Sequence, residues 1–304
     1  MHATRNMAQK YSPWIFFLHL LIIMCSSRIR ARELVGSGTD INKFLEAKAT
    51  SDEDHQTTHT EHKHGHSHMH MDPSVMVFFT LKDLKVGKTM PVCFPKRDPS
   101  TSPKLWPREE AEPLPFSLDQ LPNLLKFFSL TPHSPQAKAM QDTLSECESK
   151  PIKGEVKFCA TSLESMLDFT QTILGSKSGL NVFATSHLTK SSITFQNYTI
   201  LENIMEIIAP KMVACHTMPY PYAVFYCHSQ ESENKIYRVS LAGENGDRLD
   251  AMAVCHMDTS QWGRGHVSFQ VLKIQPGTSS VCHFFPADNL IFVPKLQSHD
   301  SATM

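Results

Sequence analysis

Four times in its last third, the sequence places a histidine directly after a cysteine. The chain has 8 cysteines and 17 histidines among 304 residues, and composition predicts only about half of one such dipeptide. The recurrence therefore indicates a common structural purpose. The four pairs are Cys215-His216, Cys227-His228, Cys255-His256 and Cys282-His283.

The segments around these pairs are predicted to be β-strands, and strand geometry separates the two residues of each pair. Successive side chains of a strand point to opposite faces of its sheet. The sulfurs would then share one face, where they can form two disulfides, and the imidazoles would share the other face, where all four could converge. Four cysteines allow three pairings, and the sequence does not choose among them.

Four converging neutral imidazoles form a donor set suited to Cu(II), Zn(II) or Ni(II), with copper favoured by intrinsic affinity. Two other interpretations stay open. The histidines can be surface or hydrogen-bonded core residues behind structural disulfides, or thiolates and imidazoles can share one zinc site. Oxidising conditions and regular strands both disfavour the mixed site. The hypothesis is therefore a metal site made by His216, His228, His256 and His283.

Residues 1–27 have the layout of a secretory signal peptide. Arg5 and Lys10 precede an apolar run from Trp14 to Met24, which is shorter than the roughly 20 residues that span a bilayer. A signal anchor is the alternative. We expect a protein of the secretory pathway that has no membrane association after cleavage and that keeps its disulfides.

Cleavage of this segment would remove Cys25 and leave seven cysteines. An odd number requires at least one free thiol or an intermolecular bond. Cys93 is far in sequence from the other six cysteines. It is therefore the predicted odd cysteine.

Residues 28–73 are predicted to be a disordered linker, because they are polar, acidic and without helical or strand periodicity. Seven histidines fall between His55 and His70. Alternating histidines in a flexible chain can bind Cu(II), Ni(II) or Zn(II), although a solvated tract with only incidental metal binding is the alternative. Imidazole titrates near pH ~6.5, so an acidic compartment would weaken this binding. The candidate secondary ligands are His62, His64, His66, His68 and His70.

The remaining chain is predicted to form one α+β domain over residues 74–296, followed by a tail at 297–304. Helices are expected in the N-terminal half of the domain. One begins at Ser134-Pro135, and another has a capping box from Thr161 to Glu164 and stops at Gly175.

Mostly antiparallel strands are expected after about residue 182, where short segments rich in Val, Ile, Phe and Tyr alternate with turn residues. Disulfides should staple this half of the domain. The predicted strands are SITFQNYTIL, YAVFYCHS, KIYRVSLA, LDAMAVCHM, HVSFQVLKI and NLIFVP.

The order and spacing of these motifs resemble the BURP-domain proteins of plants. The four Cys-His pairs are separated by 10, 26 and 25 residues. The resemblance runs from about Val77 to Pro294. It is also carried by FFTLKDLKVGKTM, CESKPIKGEVKFCATSLESMLDF, AVCHMDTSQW and PGTSSVCHFF.

The resemblance implies a secreted, vacuolar or cell-wall protein, with protein storage vacuoles included, that is associated with seed, reproductive tissue or stress. It implies that the four paired histidines are copper ligands and that the adjoining cysteines form disulfides. It also implies a further cysteine pair, Cys147 and Cys159. Some family members are copper-dependent peptide cyclases that crosslink a Tyr or Trp side chain in a core peptide of the same precursor.

The variable segment disfavours a self-processing cyclase, because residues 32–75 contain no Tyr and no Trp. The leading interpretation is a protein that binds copper or a similar metal and has a structural, storage, developmental or stress-related role, with no catalytic residue assigned. The alternative is an oxidative cyclase acting on a separate Tyr- or Trp-containing peptide.

Other features set limits on partners. A formal net charge of -1 gives no broad electrostatic reason to bind nucleic acid. Metal ions are the expected ligands, with cell-wall polysaccharide or a peptide as candidate partners. Asn197 begins the only N-glycosylation motif found, Asn-Tyr-Thr. His266 is a candidate further ligand or supporting residue, although packing or surface exposure is the favoured explanation.

Overall fold

The computed structural model describes residues 77–95, 100–175, 179–189 and 193–295. The predicted signal peptide, linker, histidine tract and C-terminal tail lie outside these ranges. Within them the chain forms α-helices and two β-sheets. The strands are β1 Phe78–Phe79, β2 Thr89–Cys93, β3 Glu155–Ala160, β4 Leu180–Phe183, β5 Ser186–His187, β6 Phe195–Ile200, β7 Met205–Ile207, β8 Val213–Met218, β9 Val224–Gln230, β10 Asn234–Gly243, β11 Arg248–His256, β12 Val281–Phe285 and β13 Leu290–Pro294.

Every pair of hydrogen-bonded strands among the described residues is antiparallel. The larger sheet, called sheet one, has the order β1-β12-β11-β10-β6-β2, with β5 beside β11 and β7 beside β10. The smaller sheet, called sheet two, has the order β3-β9-β8-β13-β4. The antiparallel arrangement predicted from the sequence is therefore confirmed.

The helices are α1 Arg108–Ala111, α2 Leu121–Phe127, α3 Pro135–Glu148, α4 Leu163–Leu174 and α5 Val267–Leu272. Helix α3 begins as predicted, with the Ser134 side chain accepting from the backbone N–H of Ala137. Helix α4 stops as predicted at Gly175, which has a φ of 61°. Its cap is one residue later than predicted, because Ser162 and Ser165 form the capping box in place of Thr161 and Glu164.

The division into a helical and a strand-rich half is only partly correct. Strands β1, β2 and β3 precede residue 161, and helix α5 lies among the C-terminal strands. The segment HVSFQVLKI, predicted as a strand, forms this helix because the His266 side chain caps its first turn by accepting from the Ser268 N–H. A short segment with buried Val267 and Phe269 fits a helical turn as well as a strand.

The two sheets pack against each other through an apolar cluster to which both contribute. Sheet one contributes Ile236, Met252, Val254 and Phe285. Sheet two and the residue before β8 contribute Met212, Ala214, Ile291 and Val293. Helix α4 covers the opposite face of sheet two, where Met166 packs in the same cluster as Val213 and Phe292. The faces of the two sheets that carry this cluster, called the inner faces, therefore pack against each other.

Three disulfides join described cysteines: Cys147–Cys159, Cys215–Cys227 and Cys255–Cys282. The last two each link residues that are directly opposite on neighbouring strands. Cys93 is also disulfide-bonded. The prediction that Cys93 is the odd cysteine concerns the chain after removal of residues 1–27, which lie outside the described ranges, so it stays a prediction.

None of the helices in the described ranges is long and apolar enough to span a bilayer.

The two cross-strand disulfides should differ in their contribution to stability. Their sequence separations are 12 residues for Cys215–Cys227 and 27 for Cys255–Cys282, and a longer closed loop restricts the unfolded chain more. We expect each double alanine variant to lose roughly 3 kcal/mol of unfolding free energy, with a further loss of about 0.7 kcal/mol for the longer loop. Urea unfolding of both variants at neutral pH measures this, and the reverse ranking would contradict the loop argument.

Candidate metal centre

The paired strands carry the four histidines to one place between the sheets. His216 lies on β8 and His228 on the neighbouring β9, whereas His256 lies on β11 and His283 on the neighbouring β12. In both pairs of strands the cysteines are directly opposite each other, so that the disulfide fixes the register beside the histidines. Each sheet therefore supplies half of the cluster.

The sulfurs and the imidazoles lie on opposite faces, as strand alternation requires. Cys255 and Cys282 pack in a core cluster on the outer face of sheet one. Cys215 and Cys227 pack beneath α4 on the outer face of sheet two. This separation leaves no mixed thiolate and imidazole site at these positions, since all four sulfurs are in disulfides.

The imidazoles form a connected cluster that crosses from one sheet to the other. The ring centroids are 5.4 Å apart for His216 and His228, and 5.8 Å apart for His216 and His283. The centroids of His256 and His283 are 5.6 Å apart, with nearly parallel rings. The Nε2 atoms of His216 and His228 are 3.4 Å apart. The predicted convergence of these side chains is therefore present in the structure.

Two of the rings are oriented by hydrogen bonds at Nδ1. His228 Nδ1 is 2.8 Å from the carboxylate oxygen Oε1 of Glu155 on β3, which accepts its proton. His256 Nδ1 donates to the side-chain oxygen of Asn234 at 2.7 Å. The Asn234 amide nitrogen donates to the backbone oxygen of Ser232, which fixes the direction of that amide. In its neutral form, each of these two rings consequently presents an unprotonated Nε2.

His216 has the opposite arrangement. Its Nδ1 is 3.1 Å from the amide nitrogen of Asn289, which can only donate. The Asn289 side-chain oxygen accepts from the backbone N–H of Thr217 at 3.1 Å, so the amide cannot reverse without losing that bond. The neutral His216 ring therefore carries its proton on Nε2, which faces Nε2 of His228.

Aromatic side chains enclose the cluster. The centroid of the Phe285 ring lies 4.9 Å from the ring centroids of both His216 and His283. The ring centroid of the buried Trp262 side chain lies 5.0 Å from that of His256 and 4.5 Å from that of His266. His266 Nδ1 bonds to Ser268, so this histidine caps α5 and packs against Trp262 at the edge of the cluster.

A buried acidic and basic network lies behind His228. Tyr226 donates its hydroxyl to Glu155 at 3.3 Å, and Lys157 donates to the Glu146 backbone oxygen. Burial would raise the pKa of Glu155, but its bond to His228, the Ile152 N–H and the charge of Lys157 together lower it. Burial raises the pKa of Glu146 to about 7. The carboxylate that orients His228 therefore stays ionised.

Burial also controls the protonation of the imidazoles. It lowers the pKa of His216 and of His256 well below the ordinary value, and the neighbouring imidazoles lower each pKa further. The pKa of His283 falls to about 4 and that of His266 to about 3, again mainly through burial. These rings are therefore neutral at pH values well above 4, and neutral imidazoles are the form that binds metals.

The four imidazoles are chemically suitable ligands for a divalent metal, but only two of their nitrogens already have a separation that suits one. Two nitrogens bound tetrahedrally at zinc distances lie about 3.4 Å apart, which is the separation of the His216 and His228 Nε2 atoms. Within the described ranges, however, no three His, Cys, Asp or Glu side chains are already placed to hold a metal. The rings of the other two histidines would have to turn toward this pair.

The other predicted sites are distributed away from the cluster. Asn197 lies on β6, where its amide donates to Glu244 at 2.8 Å. Cys147 and Cys159 join α3 to β3. The secondary ligands from His62 to His70 lie outside the described residues. Sequence reasoning missed Glu155, Asn234 and Asn289, which no local pattern marks as partners of the histidines.

The fold and the cluster define a class: a disulfide-stapled two-sheet domain with Cys-His dipeptides whose histidines meet between the sheets. Comparison with known proteins agrees, since the model of the BURP domain matches residues 77–294. The chain belongs to the BURP-domain family, and the resemblance noted in the sequence is confirmed.

Several plant proteins are similar to this chain. BURP domain-containing protein BNM2A of Brassica napus is 45% identical over 229 residues, which cover 74% of this chain and 81% of the relative. BURP domain protein USPL1 of Arabidopsis thaliana is 44% identical over 229 residues, covering 74% and 82%. BURP domain protein RD22 of Arabidopsis thaliana is 42% identical over 223 residues, covering 73% and 56%.

The buried neutral histidines should make the metal-free protein less stable in acid. The unfolded chain binds a proton at each histidine near pH ~6.5, whereas the folded chain does not, so the unfolding free energy falls as pH drops below that value. We expect His266→Asn, which can still cap α5, to make the decline between pH 6.5 and 4 shallower by about 1.4 kcal/mol per pH unit. Urea unfolding with a chelator at several pH values measures this.

His133→Asn is the matched control for His266→Asn, because His133 is exposed and its positive φ of 65° suits asparagine. An unchanged slope in His266→Asn, or an equal change in His133→Asn, would contradict the assignment of the decline to the buried ring.

Proposed function

We propose that this chain is a secretory-pathway BURP-domain protein that binds one copper ion, or a similar divalent metal, through His216, His228, His256 and His283. Its role is structural, storage-related, developmental or stress-related. The observation that carries the proposal is the pair of hydrogen bonds that direct Nε2 of His228 and His256 into the cluster. Metal-binding histidines commonly have such a partner at the other ring nitrogen.

Copper is the preferred ion because four imidazole donors bind Cu(II) more tightly than other divalent first-row metals. The disulfides on the outer faces support this choice, since they remove the thiolates that would favour zinc or Cu(I). When bound, copper would supply either a structural crosslink between the sheets or redox chemistry. The protein residues orient the rings, and Phe285 and Trp262 limit the access of water.

Binding is favoured over catalysis by the enclosure of the cluster. His216, His228 and His256 are 9%, 8% and 3% exposed and His283 is half-buried, so a peptide side chain has little direct access to the first three rings. The variable segment also has no Tyr or Trp that could serve as an attached substrate. Oxidation of a separate peptide is therefore the second candidate function.

The histidine tract and the domain site should respond differently to acid. Ordinary exposed imidazoles are largely protonated at pH 5.5, whereas burial lowers the pKa of His283 to about 4. We propose that the tract takes up copper, zinc or nickel at neutral pH and releases it in an acidic vacuole or cell wall, where the domain site keeps its ion. A cell-wall polysaccharide or a peptide remains the proposed macromolecular partner.

The test is copper stoichiometry in two forms of the full-length chain at pH 7.5 and 5.5. One form is wild type, and the other, called the tract variant, has the seven histidines between His55 and His70 replaced by serine. We expect the tract variant to hold one copper per chain at both pH values, with nitrogen couplings in its electron paramagnetic resonance spectrum. Wild type should bind additional copper only at pH 7.5.

His228→Ala in the tract variant should abolish the remaining copper, whereas His133→Ala, at an exposed position, should not. Full copper binding by the His228→Ala form would overturn the proposed site. Test peptides containing Tyr or Trp are included with oxygen, and a two-hydrogen mass loss that His228→Ala abolishes would replace the binding proposal with the cyclase.

The Glu155 carboxylate should strengthen metal binding through its hydrogen bond to His228. Replacing it with glutamine removes the negative charge that strengthens the bond to His228, and changes of this kind weaken metal binding by about 10–100-fold. We expect Glu155→Gln in the tract variant to weaken copper binding within that range in a competitive titration. Glu109→Gln, an equal charge change at an exposed position on α1, should leave the affinity unchanged. Equal affinities of the two variants would contradict the role of Glu155.

A further inference from the structure

The histidine cluster is asymmetric in a way that the proposed metal binding does not explain. His228 and His256 have oxygen acceptors at Nδ1, so the neutral form of each ring has an unprotonated Nε2. His216 instead has the amide donor of Asn289 at Nδ1. Its proton is consequently placed on Nε2, the nitrogen that a metal would need.

Asn289 is held in this direction by a backbone group. Its side-chain oxygen accepts from the Thr217 N–H at 3.1 Å and lies 3.3 Å from the Thr217 hydroxyl. Reversing the amide would place its nitrogen against the Thr217 N–H, donor against donor. Asn289 is 7% exposed, so water does not readily compensate for the lost bond.

The proton on His216 Nε2 points to Nε2 of His228 at 3.4 Å. The His228 nitrogen can accept it, because the other nitrogen of that ring donates to Glu155. The same two Nε2 atoms would be metal ligands. A metal ion and this long hydrogen bond therefore compete for one pair of nitrogens.

We propose that Asn289 is a positioning residue that holds the cluster in a metal-free form by fixing the His216 proton at Nε2. Metal binding at Nε2 requires that proton to move to Nδ1 through solvent, with no net change in the number of protons. The hydrogen bond between the two histidines is then lost, and Nδ1–H faces the Asn289 amide hydrogens. The cluster therefore binds a metal less tightly than four imidazoles with unprotonated Nε2 atoms would. Metals that bind imidazole weakly are excluded.

This inference rests on the proposed function for its consequence, but the proton position can be tested without metal. In the metal-free tract variant with labelled histidine rings, long-range proton–nitrogen spectra distinguish the two neutral forms. His216→Gln identifies the His216 signals. We expect the proton on Nε2 of His216 and on Nδ1 of His228 and His256. A proton on Nδ1 of His216 would overturn the inference, whatever metal the protein binds.

A matched pair of substitutions tests the consequence for affinity. Asn289→Asp keeps the acceptor for the Thr217 N–H and offers a second oxygen to His216 Nδ1–H. Asn234→Asp adds the same charge beside His256, whose Nδ1 already has an acceptor. We expect Asn289→Asp to tighten Cu(II) binding at least tenfold more than Asn234→Asp does, since a buried donor without an acceptor is costly.

The outcomes separate this inference from the proposed function. Copper binding by Asn289→Asp with none by the unsubstituted tract variant would support Asn289 as the positioning residue and overturn native copper binding. Equal affinities of the two Asp variants would overturn the inference while leaving the four-histidine site in place. If none of the forms binds copper, the proposed function fails and the ring spectra still decide the proton position.

Discussion

The structure depends on two disulfides that link directly opposite residues of neighbouring strands. Each of them fixes the register of its strand pair, and the alternation of side chains then sends both adjoining histidines to the inner face. A slip of one residue would exchange sulfurs and imidazoles between the faces. The packing of Met252 and Phe285 against Ala214 and Ile291 holds the two sheets together, and the cluster forms where the two inner faces meet.

The buried environment of the cluster keeps the imidazoles neutral but leaves the neighbouring Glu155 carboxylate ionised. Burial disfavours charged imidazoles and keeps the rings neutral, whereas Glu155 remains ionised because His228 and Lys157 compensate for its burial. The buried carboxylate of Glu155 beside His228 makes the half-site on sheet two electrostatically different from the half-site on sheet one, where Asn234 has the corresponding position. The two halves are therefore similar in their strand geometry and different in their polarity.

Much of this arrangement was predictable, because strand alternation is a local property. The four dipeptides place cysteine and histidine on opposite faces without any knowledge of the partner strand, and the structure has that arrangement. The acceptors and donors at Nδ1 were not predictable. Glu155 precedes His228 by 73 residues and Asn289 follows His216 by 73, so only the completed sheet brings them together. The capping error at Ser162 and the helix at Val267 have a different origin, since neighbouring residues there satisfy two local patterns equally well.

The order of strands in sheet two has a consequence for the assembly of the chain. Strands β8 and β9 form a hairpin from one continuous segment, so His216 and His228 can meet soon after that segment is synthesised. Their neighbours arrive later: His283 comes on β12, and Asn289 immediately precedes β13, which pairs with β8. A nascent chain that has emerged only as far as β9 therefore presents two adjacent imidazoles without the amide that directs the proton of His216. During this interval the two imidazoles of the hairpin lack the contact with Asn289, which is added with the last strand of sheet two.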